Sequence, residues 1–153
     1  PTMGIALLSV ASVPEVHLAL AQGPAQAQVP LRTRLQSTRI ACRAAASYAS
    51  KIVIFKARER LLRGQLALAQ GRPGKAAACW GQGIGHAVHY ALPFEEALCH
   101  LALAGVEASP DKRSEHQARG MQIMDRLGAN PWTPAALPAT RWNNPSQNLE
   151  EPA

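Results

Sequence analysis

Four side chains in one short span are of the kinds that ligate metals or attack carbon: His86, His89, Cys99 and His100. Histidines three residues apart on a helix share a face, and a following helix could bring a thiolate beside them, as in a zinc site. The span offers no Cys-x-x-Cys and no carboxylate paired with these histidines, and nothing marks an oxyanion hole for a Cys–His nucleophile pair. They read as packing and surface groups, with no catalytic residue, metal or cofactor expected.

Two glycine-bearing stretches invite nucleotide chemistry. In "GRPGKAAA" at 71–78, Gly74 and Lys75 could offer backbone N–H groups and an ammonium to a phosphate. A phosphate loop needs glycine where Ala69 stands, a hydroxyl where Ala76 stands, and a strand ahead of it. The stretch reads instead as the stop of one helix and the start of the next. In "WGQGIGH" at 80–86 the glycines are spaced G-x-G-x-G, again with no preceding strand. Glycine inside a helix costs about 1 kcal/mol, so close helix approach is the expected return, with Gly81 and Gly85 sharing the contact face.

Charge is more informative. Residues 31–75 hold 11 of the 16 Lys and Arg and one acid, Glu59. Helical spacing places Arg32, Arg39 and Arg43 on one face, and Lys56, Arg60 and Arg63 on another. A solvated face, an acidic partner surface and nucleic acid all suit such a pattern, but no aromatic residues interleave with the cations for base stacking. The residues favoured for partner contact are Lys56, Arg60, Arg63, Arg39 and Arg43.

These side chains must be positioned by helices. The stretch "LALA" occurs at 18–21, 66–69 and 101–104, and the last two copies lie 35 residues apart, near the tetratricopeptide period of about 34. Leu31, Leu35, Cys42, Ala45 and Ala49 mark a helix from Pro30 to about Ser50, and "KIVIFK" is a tight connection after it. Phe55, Leu62, Leu66 and Ala69 mark a helix over 54–70, stopped by Gly71 and Pro73. Ala77, Trp80, Ile84, Val88 and Ala91 mark its partner over 74–91, with Trp80 expected between the two. Phe94, Ala97, Leu98, Leu101 and Ala104 follow Pro93 on a third helix, closed at Gly105. Ser109 and Pro110 start a fourth, carrying Gly120, Ile123, Met124 and Leu127 and ended by Gly128. The expected fold is all-α: antiparallel helical hairpins stacked as tetratricopeptide-like repeats over 1–128, and an extended, Pro-rich tail over 129–153. In that tail Trp132 and Trp142 either dock on the last hairpin or form a linear partner motif.

The totals agree with a helical stack. Of 153 residues 47% are apolar and 5% aromatic, so Ala and Leu must fill the core, which suits close helices better than a β-sandwich. Three cysteines without a close pair argue against a disulfide framework, and a reducing cytoplasm is the expected location. The N-terminal apolar stretch lacks a basic leader and meets Pro14 and Glu15, so neither a signal peptide nor a membrane contact is expected. Opening on Pro1 suggests a piece of a longer protein, with Met3 as a competing start.

The run "RERLLRGQLALAQGRPGKAAACWGQGIGHAVHYALPFEEALCHLALAG" and the later "MQIMDRLGA" carry a resemblance. Over about residues 54–129 the chain resembles the C-terminal tetratricopeptide-like arm of ATPase-linked bacterial class III adenylate/guanylate cyclases and related ATPase regulators. The matching positions are Gly64, Leu66, Gly71, Ala76, Trp80, Ala97, Leu101 and Gly128; Met124 and Gly83 depart from the pattern. The resemblance implies a non-catalytic regulatory or interaction arm, with any catalytic domain upstream. Its partner would be a protein segment or the parent ATPase domain. The alternative from the charge pattern is a basic domain binding nucleic acid or an acidic ligand through 31–75.

Overall fold

The computed structural model describes residues 30–129, and every regular element among them is helical. Helix α1 spans Leu31–Lys51, and a 3-10 turn over Val53–Phe55 leads into α2, Lys56–Ala69. Three more follow: α3 over Pro73–His89, α4 over Pro93–Ala104 and α5 over Pro110–Arg126. The first "LALA" copy, Trp132 and Trp142 lie outside the described residues. Among those described, no helix is long and apolar enough to cross a membrane.

Local chemistry explains the boundaries. α3, α4 and α5 each begin with proline in the first turn, where its missing N–H has no helical acceptor to lose and its ring fixes a helical φ. α2 closes when Gly71 turns to φ 72°, with the Arg72 N–H donating to the Ala67 carbonyl at 3.0 Å and that of Gly71 to Leu68 at 2.8 Å. α5 ends in the same way at Gly128, φ 60°. These paired bonds satisfy carbonyls that a helix end otherwise leaves open. α3 uses the device without glycine: Ala91 holds φ 50° and the Leu92 N–H reaches the Ala87 carbonyl at 2.8 Å. Gly105, expected as a similar stop, stays in the right-handed region at φ −67°.

Pairing follows from register. Ala57 lies by Gly83 and Gly64 by Trp80, so α2 and α3 run antiparallel. On the next pair Glu96 meets Arg119 and His100 meets His116, so α4 and α5 are antiparallel as well. α2 also touches α4. The expected core of α2 captured one of its two buried sides. Leu62 and Leu66 pack with Phe55 and with Cys42, Ala45 and Ala49 of α1. Leu61 and Ala67 join Trp80, Ala97, Leu98, Ile123 and Met124 in a second core. Ala69, expected in the core, is only half-buried.

Other expectations need correction. Ala76, Trp80, Gly83 and Ala87 form the buried stripe of α3, and Val88, one residue and so about 100° off that stripe, is 59% exposed. Ala91 is exposed in its turn, and Leu127, just past the end of α5, is 44% exposed. The close helix contact belongs to Gly83, whose missing Cβ leaves room for the Cys99 Sγ, whereas Gly81 and Gly85 face open space. Leu101 is half-buried against Gly120, while Ala76 and Ala97 are fully enclosed.

Candidate anion-binding cleft

The four residues that suggested metal chemistry do not form a cluster. His86 sits on α3 near Lys56 and Arg60; partial desolvation, aided by those cations, pulls its pKa below the ordinary value. His89 packs edge-on against Tyr90 with ring centroids 4.6 Å apart. Cys99 is wholly buried under Gly83, and burial pushes its thiol up to about 12, leaving it protonated and unreactive. His100 turns instead to His116 across α4 and α5, with the two Nδ1 atoms 2.9 Å apart. Among the described residues no three His, Cys, Asp or Glu side chains converge as metal ligands would.

The His100–His116 contact has a consequence for pH. A 2.9 Å approach needs one ring to donate and the other to accept, so the second proton finds no acceptor. Burial and then the neighbouring His116 lower the His100 pKa below 6.5. Folded protein thus binds fewer protons than unfolded protein below that value. The contribution to stability is complete above pH 6.5 and is lost as pH falls from there towards the lowered pKa. Melting temperature should drop between about pH 7 and pH 5, before carboxylates near 4 titrate, and His100→Gln should make the drop shallower, leaving the part due to His86, whose pKa is also lowered. Parallel profiles for variant and parent would dissociate the loss from this pair.

The cations do converge. Arg39, Cys42, Arg43 and Ala46 line one wall of a cleft, and their spacing of i, i+3, i+4, i+7 puts them on a single face of α1. Arg63, Leu66, Ala67 and Gln70, at the same spacing on α2, make the opposite wall. Arg72 and Lys75, flanking the start of α3, close one side. The cleft is open to solvent on one side and has a volume of about 270 Å³. Cys42, Leu66 and Ala67 are buried at its base, while all five cations are exposed.

Among the described residues no carboxylate or aromatic ring belongs to that lining. Burial, reinforced by Glu59, raises the Cys42 thiol to about 11, so the base of the cleft contributes no anion. Buried Glu59, one turn before Arg63 on the same face of α2, pairs with Arg60 and Arg63, each at 3.4 Å, and acts on Cys42 at the base. Arg39, Arg43, Arg72 and Lys75 form no ion pair among the described residues.

The favoured partner residues therefore divide. Arg39, Arg43 and Arg63 line the cleft, whereas Lys56 and Arg60 lie near His86 on the α3 side of α2. Arg72 and Lys75 were missed because they belong to the stretch set aside as a false phosphate loop. Their membership in the acid-poor span 31–75 was the available signal. Chemically, the described lining makes an electropositive recess over an apolar base. No family model, curated protein or solved structure matches the chain.

Proposed function

We propose that the chain is a non-catalytic interaction module, with its helical hairpins stacked as tetratricopeptide-like repeats, that recognises an acidic protein segment. On the resemblance of residues 54–129, the module serves a larger cytoplasmic signalling ATPase or nucleotide cyclase, and the segment belongs to that parent or to a protein partner. The antiparallel pairs and the α2–α4 contact support the repeat architecture. The carrying observation is the cleft itself: five cations from α1, α2 and the start of α3 line one recess, and among them only Arg63 has a carboxylate partner among the described residues. The lack of aromatic residues among its described lining favours a protein segment over single-stranded nucleic acid, whose bases need stacking platforms.

The test is charge reversal. A degenerate peptide library rich in Asp and Glu should bind the full chain at low salt. Arg39→Glu with Arg43→Glu should weaken that binding roughly tenfold or more, because two contacts of about 0.2–1 kcal/mol become repulsions of similar size. Both side chains are exposed, so circular dichroism should not change. Equal binding by the double variant would remove the cleft from the reading. Tighter binding of a single-stranded oligonucleotide, with affinity falling steeply in salt, would favour the nucleic-acid alternative.

A further inference from the structure

The composition and shape of the cleft narrow the kind of acidic group that it fits. Four of its five cations are arginine. A guanidinium is a planar fork that meets two oxygens of one anion at once, while an ammonium acts as a point charge. The donors belong to three elements: Arg39 and Arg43 to α1, Arg63 to α2, and Arg72 and Lys75 to the start of α3. A carboxylate presents two oxygens in one plane and a single negative charge. A phosphate monoester presents three acceptor oxygens in a tetrahedral array and a charge near −2, which suits donors arriving from several sides.

Size points the same way. A volume of about 270 Å³ is a recess for one side chain and its head group, below the range of about 300–1,000 Å³ usual for small-molecule pockets. An extended acidic strand would need a longer trough with its cations spaced along it. Here they surround one hollow whose base, formed by Cys42, Leu66 and Ala67, is apolar. A weakly polarisable base strengthens the field of the surrounding charges, and the aliphatic stem of a modified side chain can rest on it.

We infer that the cleft receives a phosphorylated side chain, so that the acidic segment is a phosphopeptide and its capture depends on phosphorylation. This rests on the acidic-segment reading above and adds to it the identity of the anion. Arg63 is already paired with Glu59 at 3.4 Å. Arg39, Arg43, Arg72 and Lys75 supply the unpaired charge.

Three probes test this on the full chain: a degenerate peptide library with a fixed central phosphoserine, the same library with glutamate there, and a single-stranded oligonucleotide. The phosphoserine library should bind about tenfold or more tighter than the glutamate library, because the second negative charge and third acceptor oxygen of the phosphate allow further charge-assisted hydrogen bonds. Its affinity should fall roughly fourfold from about pH 7.5 to 5.5, as the dianion takes up a proton near pH 6. The glutamate library controls for protonation of the protein itself. Arg39→Lys with Arg43→Lys keeps the charge and removes two forks, so binding to both libraries should persist while the preference for phosphoserine narrows, since the phosphate has more acceptor oxygens to lose partners.

Equal affinity for the two libraries, or a preference untouched by the lysine variant, would overturn the phosphate assignment and leave the acidic-segment reading standing. Binding of neither library would overturn both. An oligonucleotide that displaces the phosphoserine library at equal charge concentration would also overturn both, in favour of nucleic acid.

Discussion

Replacing Trp80 with alanine is expected to cost about 3–5 kcal/mol, a large share of the roughly 5–15 kcal/mol that holds a domain of this size together. Trp80 has no exposed surface, and it joins α2 to α3 by two different means. Its ring lies against Gly64 and packs in the core shared with Leu61, Ala97 and Met124. Its indole N–H donates to the Leu61 carbonyl at 3.1 Å across the helix pair. Alanine would remove the ring and leave a void that neighbours on two helices can only partly fill. Trp80→Phe would keep much of the packing and lose the hydrogen bond, worth about 1 kcal/mol net, and should fall between the two. Urea unfolding followed by far-ultraviolet circular dichroism is the appropriate measurement, because Trp132 and Trp142 would obscure a fluorescence change. An unchanged midpoint for Trp80→Ala would mean that the α2–α3 contact does not depend on this ring.

The helix boundaries were legible because their signals are local. Pro73, Pro93 and Pro110 can open a helix wherever the chain later goes, and Gly71 and Gly128 relieve the left-handed turn that closes one. Ala91 occupies the same kind of turn with no glycine to announce it, so that end was read two residues late. The second buried side of α2 was not legible in the same way. A pattern with Leu61 and Leu62 adjacent does not say whether one partner or two will cover them. Only the arrival of α1 on one side and α3 and α4 on the other decides it.

The cleft was partly legible for the same reason. Arg39 and Arg43 share a helical face by spacing alone, so the α1 wall could be read directly. Arg63 was found, but grouped with Lys56 and Arg60 along its own helix and not with the arginines across from it. Arg72 and Lys75 join the site only because the turn after α2 places the start of α3 at one side of the cleft. Charge density in sequence marked the region, whereas its concavity depends on how three elements meet.

The three close-spaced glycines of α3, together with Gly64 of α2, allow a sharper separation of propensity from packing. In an open helix position alanine is favoured over glycine by about 1 kcal/mol. Gly81 and Gly85 are exposed and have no atom within 4 Å of the place a Cβ would take, so alanine at either should raise stability by up to about that amount. At Gly64 the propensity is the same, but a Cβ would fall on the Trp80 Nε1, 2.5 Å from Cδ1 and 2.6 Å from Cε2. These are atoms of a rigid ring tethered to Leu61, so the helices themselves must move apart. Overpacking of this kind costs about 1–3 kcal/mol, and Gly64→Ala should be destabilising overall. The decisive comparison is Gly64→Ala in a Trp80→Ala background, where the obstruction is gone and only the propensity gain remains. There the substitution should become neutral or stabilising, a change of sign that reports coupling between two residues in contact. If Gly64→Ala is equally destabilising with and without the indole, the glycine is required by the backbone of α2 and not by the ring that rests on it.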